Sequence, residues 1–304
     1  MDAYYSDGDV SLYNGDASDV LPELGIEADL ILTSPPYGEL RDYGGHGFDW
    51  QSMMTACADA LTPGGVMVWI VADEMIDGSE TGMSFRQALY AKDELGLRLH
   101  DTMIYQKAGL RNPTPNRYHQ AIEYMFVLSK GTPKTANLIE DVKNVTGGRF
   151  RGTNHPFGRT PDGTRPARRA KKKSFVRRDI RCRSNVWSYS VGLHHSSPGF
   201  LAAHQHPAIM PLALAKDHVR TWTNPGDVVL DPMAGSGTTL RAAKDLNRRA
   251  IGVEIHEPYC ELAARRLAQG VLPIADASIA DASSIVYNSQ MFDCDESRRG
   301  NSKE

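Results

Sequence analysis

Six consecutive apolar residues, Val66–Val71, lie between Pro63-Gly64-Gly65 and Ala72-Asp73. The run is short for a helix and lacks the polar alternation of a strand with one wet face. It is the pattern of a strand buried on both sides, which requires a parallel sheet with helices on either face. The remaining pattern agrees. Further strands are expected at Leu12–Asn14, Leu30–Leu32, Leu97–Tyr105, Glu123–Leu128, Val228–Leu230 and Ala250–Val253. Helices are expected at Trp50–Leu61, stopped by Pro63-Gly64-Gly65, and at Ser84–Leu95, closed by Gly96. Three more follow at Pro211–Thr221, Thr238–Leu246 and Pro258–Leu267. Strand–helix alternation of this kind predicts an α/β fold with a doubly wound, mostly parallel, Rossmann-like sheet.

Two stretches break the alternation. From Thr146 to His195 the chain is rich in Gly, Pro, Arg and Lys and reads as an inserted, loop-rich module. From Asp276 to Glu304 it is rich in Ser, Asp and Asn and reads as a mobile tail. The expected division is therefore a catalytic domain of residues 1–145 with 201–274, a basic insertion of 146–200 and a tail of 275–304. The net charge of −3 conceals the insertion's character: Arg149 to Arg183 holds thirteen Lys or Arg against two acids, Asp162 and Asp179. Such an island suits the phosphates of a nucleic acid, and a solvated charge run is the plainer alternative. No apolar stretch is long enough to span a membrane, and the start of the chain lacks the basic and apolar regions of a secretory signal. The scattered Cys57, Cys182, Cys260 and Cys294 suggest reduced thiols in a cytoplasm.

VVLDPMAGSGTTL, Val228 to Leu240, runs from a strand through Gly235 and Gly237 into a helix opened by Thr238 and Thr239. Glycines let a ligand approach the backbone, and a helix start offers unpaired N–H groups. Glu254 follows Gly235 by 19 residues at the end of the next apolar run, the place of a ribose-binding acid in dinucleotide folds. An adenosine-type ligand is implied. The turn lacks the third glycine of G-x-G-x-x-G and the Gly-Lys-Ser/Thr ending of a triphosphate loop. A tight structural turn with no ligand is the competing reading.

DLILTSPPYG, Asp29 to Gly38, leaves a strand through two prolines that fix two φ angles and remove two donors. The result is a rigid arm holding the Ser34 hydroxyl, the Pro35 carbonyl and the Tyr37 ring. An exocyclic base amine is a weak nucleophile because its lone pair is delocalised. Two acceptors on its hydrogens would favour a tetrahedral nitrogen, and Tyr37 would stack on an extruded base. Positioning against an electrophilic methyl then supplies most of the rate. By itself the segment also suits an ordinary Pro-rich turn.

Thr33–Tyr37 (TSPPY) together with Asp231–Thr239 (DPMAGSGTT) resembles the DNA amino-methyltransferases, which act on cytosine N4 or adenine N6. That family's catalytic motif is (D/N/S)PP(Y/F/W), and its cofactor loop commonly reads DPFxGSGTT; Met233 stands here for the usual Phe. The catalytic motif precedes the cofactor loop, as in the circularly permuted β group. The resemblance covers most of residues 9–270. It implies an AdoMet-dependent methyltransferase sheet, cut between its second and third strands, with the basic insertion as target-recognition region. It also implies Ser34, Pro35, Pro36 and Tyr37 as catalytic residues. The cofactor contacts it implies are Asp16 beside the adenine, Glu254 on the ribose, Thr33, and Asp231, Pro232, Met233, Gly235, Ser236, Gly237 and Thr238 in the turn. His206 and Pro207, in HPAIMP (His206–Pro211), are implied near the methionine portion of S-adenosyl-L-methionine. Gly252-Val253-Glu254 with Tyr259 and Arg265-Arg266 resembles the ribose acid and its trailing helix. Ser at the first catalytic position and the HPA-x-x-P form favour cytosine N4 over adenine N6. The resemblance further implies double-stranded DNA as substrate, a homodimer, and the setting of restriction-modification; an orphan or phage-borne enzyme and one paired with a cognate restriction enzyme both stay open.

Other residues stay open on sequence alone. Trp187 reads as core, while Tyr189, His194 and His195 either pack or line a flipped base. His194, His195, His204 and His206 have no Cys or carboxylate at ligand spacing, so zinc is not expected. Arg41, Tyr43, Gly44, Gly45 and His46 suit a flap or a passive loop, and Arg111–Arg117 a DNA-backbone contact or a surface loop. The competing functions are the same chemistry on RNA, on a protein amide or on a small molecule, and a nucleic-acid-binding protein with a vestigial cofactor pocket.

Overall fold

A computed structural model of the protein describes residues 1–36, 48–108, 116–144, 179–190 and 209–269. The strands are β1 (Tyr5–Ser6), β2 (Val10–Asn14), β3 (Ala28–Thr33), β4 (Leu61–Val71), β5 (Met75–Ile76), β6 (Ser79–Glu80), β7 (Arg98–Ala108), β8 (Ile122–Ser129), β9 (Glu140–Lys143), β10 (Ile180–Cys182), β11 (Val186–Ser190), β12 (Val228–Asp231) and β13 (Arg249–Glu254). The helices are α1 (Ala17–Leu24), α2 (Trp50–Ala60), α3 (Met83–Asp93), α4 (Leu212–Trp222), α5 (Thr238–Asp245) and α6 (Glu257–Ala268).

Among the described residues nine strands form one sheet in the order β1-β2-β13-β12-β3-β4-β8-β7-β11. From β2 to β4 every neighbour is parallel, and β7 and β11 are parallel at the far side. β8 runs antiparallel between β4 and β7. The N-terminal β2 lies beside the late β13, pairing Asn14 with Glu254. That pairing is the one expected of a sheet whose chain is cut between its second and third strands.

Alternate residues of the central strands feed two cores. Leu30, Leu32, Val66, Val68 and Ile70 pack with Leu214 of α4, Leu240 of α5 and Leu267 of α6. Ile31, Met67, Trp69 and Val71 pack on the opposite face with Val20 of α1, Met54 of α2 and Ala91 of α3. VMVWIV is therefore buried on both sides, as its composition demands.

Three expectations need correction. Pro63-Gly64-Gly65 does not separate α2 from a strand; it bulges within β4, where Leu61 pairs with Ala28 and Val66 already pairs with Leu30. The helix ends at Ala60 because Leu61 is already extended (φ −73°, ψ 131°) and pairs with Ala28 in β4; the Lys130 ammonium donates to the carbonyls of Ala58 (3.0 Å) and Leu61 (2.9 Å) at this junction. α1 escaped the periodicity because it is eight residues long and contains Pro22. The Asp16 side chain caps its start, and Gly25, at φ 56°, closes it. Finally, Val186–Ser190 lies within the stretch expected to be irregular, yet it is a strand of the main sheet. Trp187 on it is buried, as expected, and Tyr189 is partly buried in the same core.

Candidate active site and cofactor turn

The parallel strands β2, β13, β12 and β3 all end at one edge of the sheet, and the connections diverge at β12 and β3. One chain path leaves β12 through α5 to β13; the other leaves β3 toward α2 and β4. Ligands bind at such a switch point because the loops separate there and leave a crevice.

The glycine turn, the candidate cofactor site, begins where β12 ends. Asp231 Oδ1 accepts the Met233 N–H at 3.2 Å, and the Gly237 N–H reaches the Ala234 carbonyl at 2.7 Å. Gly235 and Gly237 have φ of 50° and 75°, in the left-handed region that favours glycine. A Cβ on Gly237 would also sit 3.0 Å from the Ala263 Cβ on α6. Gly237 precedes α5 without a side-chain cap, so no side chain caps the first N–H groups of that helix.

Glu254 braces this turn. Its Oε2 accepts the Gly235 N–H at 2.7 Å and its Oε1 the His256 N–H at 2.9 Å. Both oxygens are thus engaged by backbone donors. Gly15 N donates to the Glu254 carbonyl at 3.1 Å, placing the Gly15-Asp16 loop beside the acid. Asp16 Oδ1 accepts from Ser18 N at 2.8 Å and Ser18 Oγ at 2.6 Å, so one of its oxygens already serves the start of α1.

The third component is the arm at the end of β3. Thr33 is fully buried, Pro35 is buried, and Ser34 and Pro36 are half-buried. The Thr239 hydroxyl at the start of α5 donates to the Leu32 carbonyl at 3.2 Å, tying the arm's root to the cofactor turn. Thr33 Oγ1 is buried without a hydrogen bond of ordinary geometry, though it faces Asp231 closely enough to help hold that carboxylate's charge. Burial pushes Asp231 up to about 6, against the lowering influence of Thr239, Thr33 and the Met233 N–H.

The structure thus gathers Asp16, Thr33, Ser34, Pro35, Pro36, Asp231, Pro232, Met233, Gly235, Ser236, Gly237, Thr238 and Glu254 along one sheet edge. Tyr37, His206 and Pro207 lie outside the described residues, as do Arg41–His46, Arg111, His194, His195, His204 and the tail. Most of the basic insertion is outside them too. Among the described residues no three His, Cys, Asp or Glu side chains converge as a metal site, and no helix is long and apolar enough to cross a membrane.

One residue of this site was not legible as such. Arg266, half-buried, donates to the Ser236 carbonyl, to Ser236 Oγ at 2.7 Å and to Thr238 Oγ1 at 3.3 Å. Burial and neighbouring Arg241 push its guanidinium down to about 10. Arg265, beside it in sequence, pairs with Glu261 on the surface. Helical phase alone sends one arginine under the turn and its neighbour into solvent.

Comparison with known proteins agrees with this arrangement. The orphan methyltransferase M.BamHII of Bacillus amyloliquefaciens is 46% identical over 241 residues, 79% of this chain and 88% of its own. The PvuII DNA methyltransferase (cytosine-N4-specific) superposes with a TM-score of 0.62 over 89% of this chain and 90% of its own, at 19% identity. The complex of M1.HpyAVI with SAM does so with a TM-score of 0.52 over 85% and 99%, at 23% identity. Residues 28–265 match the N6/N4 family model described as DNA methylase, and the chain belongs to that family.

Proposed function

We propose that this protein transfers a methyl group from S-adenosyl-L-methionine to the exocyclic amine of cytosine, N4, in double-stranded DNA. The observation that carries the reading is the junction of two motifs far apart in sequence. The Ser34-Pro35-Pro36 arm leaves β3 next to the strand whose end bears the Asp231–Thr238 turn, with Thr239 bonded to the arm's root.

The residues fit the cofactor. The Thr33 hydroxyl is buried at the end of β3, beside the Asp231 carboxylate. Gly237 sits where no larger residue fits, and α5 opens with no side-chain cap. Glu254 would hold the ribose and the Asp16 loop would flank the adenine, with His206 and Pro207 toward the methionine portion. S-adenosyl-L-methionine supplies, when bound, a methyl on a positively charged sulfonium. An Asp231 carboxylate buried at the end of β12 favours a cationic ligand nearby.

For the base, Ser34 and the Pro35 carbonyl accept the two amine hydrogens, and Tyr37 stacks on the extruded ring. As the N–C bond forms and the C–S bond breaks, the sulfur would depart as a neutral thioether and the positive charge pass to the methylated nitrogen; its proton, now strongly acidic, leaves by way of the Ser34 hydroxyl to water, so fixed acceptors and alignment replace a tuned base. The preference for cytosine over adenine rests on Ser34 at the first motif position and on the HPA-x-x-P form of His206–Pro211. The basic segment within 146–200 is the proposed recognition region, neutralising phosphates.

The test is nucleoside mass spectrometry on unmethylated genomic DNA incubated with protein and S-adenosyl-L-methionine, beside a Ser34→Ala control. N4-methylcytosine formed by the wild type and lost in the control is expected. N6-methyladenine instead would retain the chemistry and overturn the base; product on RNA alone would overturn the substrate.

A further inference from the structure

Arg183 closes the basic island in sequence and so reads as one more phosphate contact. Its surroundings assign it otherwise. β9 and β10 form an antiparallel ladder, Ile180 opposite Lys143 and Arg181 opposite Val142, and Asn144 N donates to the Asp179 carbonyl at 2.8 Å. The chain leaves this ladder after 144 and returns at 179. The residues in between, 145–178, carry eleven Lys or Arg and one acid, Asp162. A two-stranded ladder is marginally stable by itself.

Arg183 stands one residue beyond the ladder and joins it to the rest of the molecule. Its backbone N–H donates to the Ile139 carbonyl at 3.1 Å. Nε reaches both Asp141 oxygens, at 2.9 and 2.8 Å, and Nη2 reaches Asp141 Oδ2 at 2.5 Å, a fork onto β9. Nη1 meets Asp217 Oδ2 of α4 at 2.6 Å, and the guanidinium lies 5.6 Å from the Trp187 ring centre on β11. Asp217 is buried, and it also receives the Tyr189 hydroxyl at 2.7 Å and Arg220 at 3.3 Å. One planar fork therefore connects the ladder, the sheet and α4 in a geometry that lysine cannot reproduce. With its charge shared between two carboxylates, Arg183 has little left for a phosphate.

We propose that Arg183 is a positioning residue that orients the stem of the recognition segment on the catalytic sheet, and thereby sets discrimination between DNA sites. This rests on the reading of the basic segment as the DNA-recognition region.

The experiment uses the full chain, unmethylated genomic DNA and sequencing of methylated positions to define the wild type's preferred site. Arg183→Met, Arg183→Lys and Asp141→Asn are then compared for methylation of that site against single-base variants, for DNA affinity across a salt series, and for melting temperature. In Arg183→Met the site preference should fall about tenfold, the scale of one misread base pair, with the salt slope unchanged. Arg183→Lys and Asp141→Asn should show part of that loss. A salt slope reduced by about 0.9, one phosphate's worth, would make Arg183 a DNA contact and overturn the proposal. Folded variants that keep wild-type preference would also overturn it. Should Arg183→Met fail to fold, Asp141→Asn decides, because Asp141 is partly exposed and its loss removes only the fork. A wild type with no site preference on DNA overturns the functional reading and this proposal together.

Discussion

Replacing Asp231 by Asn removes a carboxyl that the fold buries at the end of β12, about 4% exposed. Its folded value is pushed up to about 6 from 3.8, chiefly by desolvation, with Glu254 adding to the rise and hydroxyl and N–H donors opposing it. A folded value above the unfolded one means the native state binds this proton more tightly. The group's contribution to stability therefore declines as pH rises through that interval and is lowest above about 6. A shift of about two units corresponds to about 3 kcal/mol in total, of which about 2 kcal/mol develops between roughly pH 4.5 and 7.5. Asparagine keeps an oxygen for the Met233 N–H and has no proton to lose, while the threonine hydroxyls can rotate to accept from its amide. Urea unfolding of both proteins across this range cancels every other titrating group. The wild type should lose about 2 kcal/mol relative to the variant on going from low to high pH. A difference that stays constant, or runs the other way, would refute the burial argument. At the same time the variant should bind S-adenosyl-L-methionine more weakly, since the cost of a buried carboxylate is tolerable where a cationic ligand offsets it.

Two further perturbations test other parts of the structure. Arg266→Met removes the cation beneath the cofactor turn, and titration calorimetry should show S-adenosyl-L-methionine binding weakened about tenfold, the worth of a charged hydrogen bond; unchanged affinity would reduce Arg266 to packing. Lys130→Met leaves the carbonyls at the end of α2 without their ammonium, and the urea midpoint should fall by an amount equivalent to about 1 kcal/mol; an unchanged midpoint would show that the ammonium adds nothing to the junction of α2 and β4.

How much of this was legible follows from which interactions are local. VMVWIV announced a two-faced strand because its composition leaves no polar side to expose, and the sheet buries both faces of it. The turn at Asp231–Thr238 was legible because left-handed φ and close helix approach demand glycine at fixed places, and Glu254 because it ends the next strand. α1 was hidden by its length and by Pro22.

β11 was hidden in a different way. A single edge strand flanked by Arg, Lys, Gly and Pro has no periodic signature, and only pairing with β7 makes it a strand. The same limit applies to individual charges. Sequence counted Arg183 with the phosphate binders and set Arg266 beside Arg265 as a matched pair. What Arg183 and Arg266 meet depends on neighbours dozens of residues away, while Arg265 pairs with Glu261 one helical turn back. The sequence alone determined the chemistry available to this chain: a hydroxyl and carbonyl on a Pro-stiffened arm, a glycine turn, and an acid one strand later. Tertiary structure decided that the arm and the turn share one edge, and which charges are spent inside the molecule, because strand order and side-chain partners are set by long-range packing.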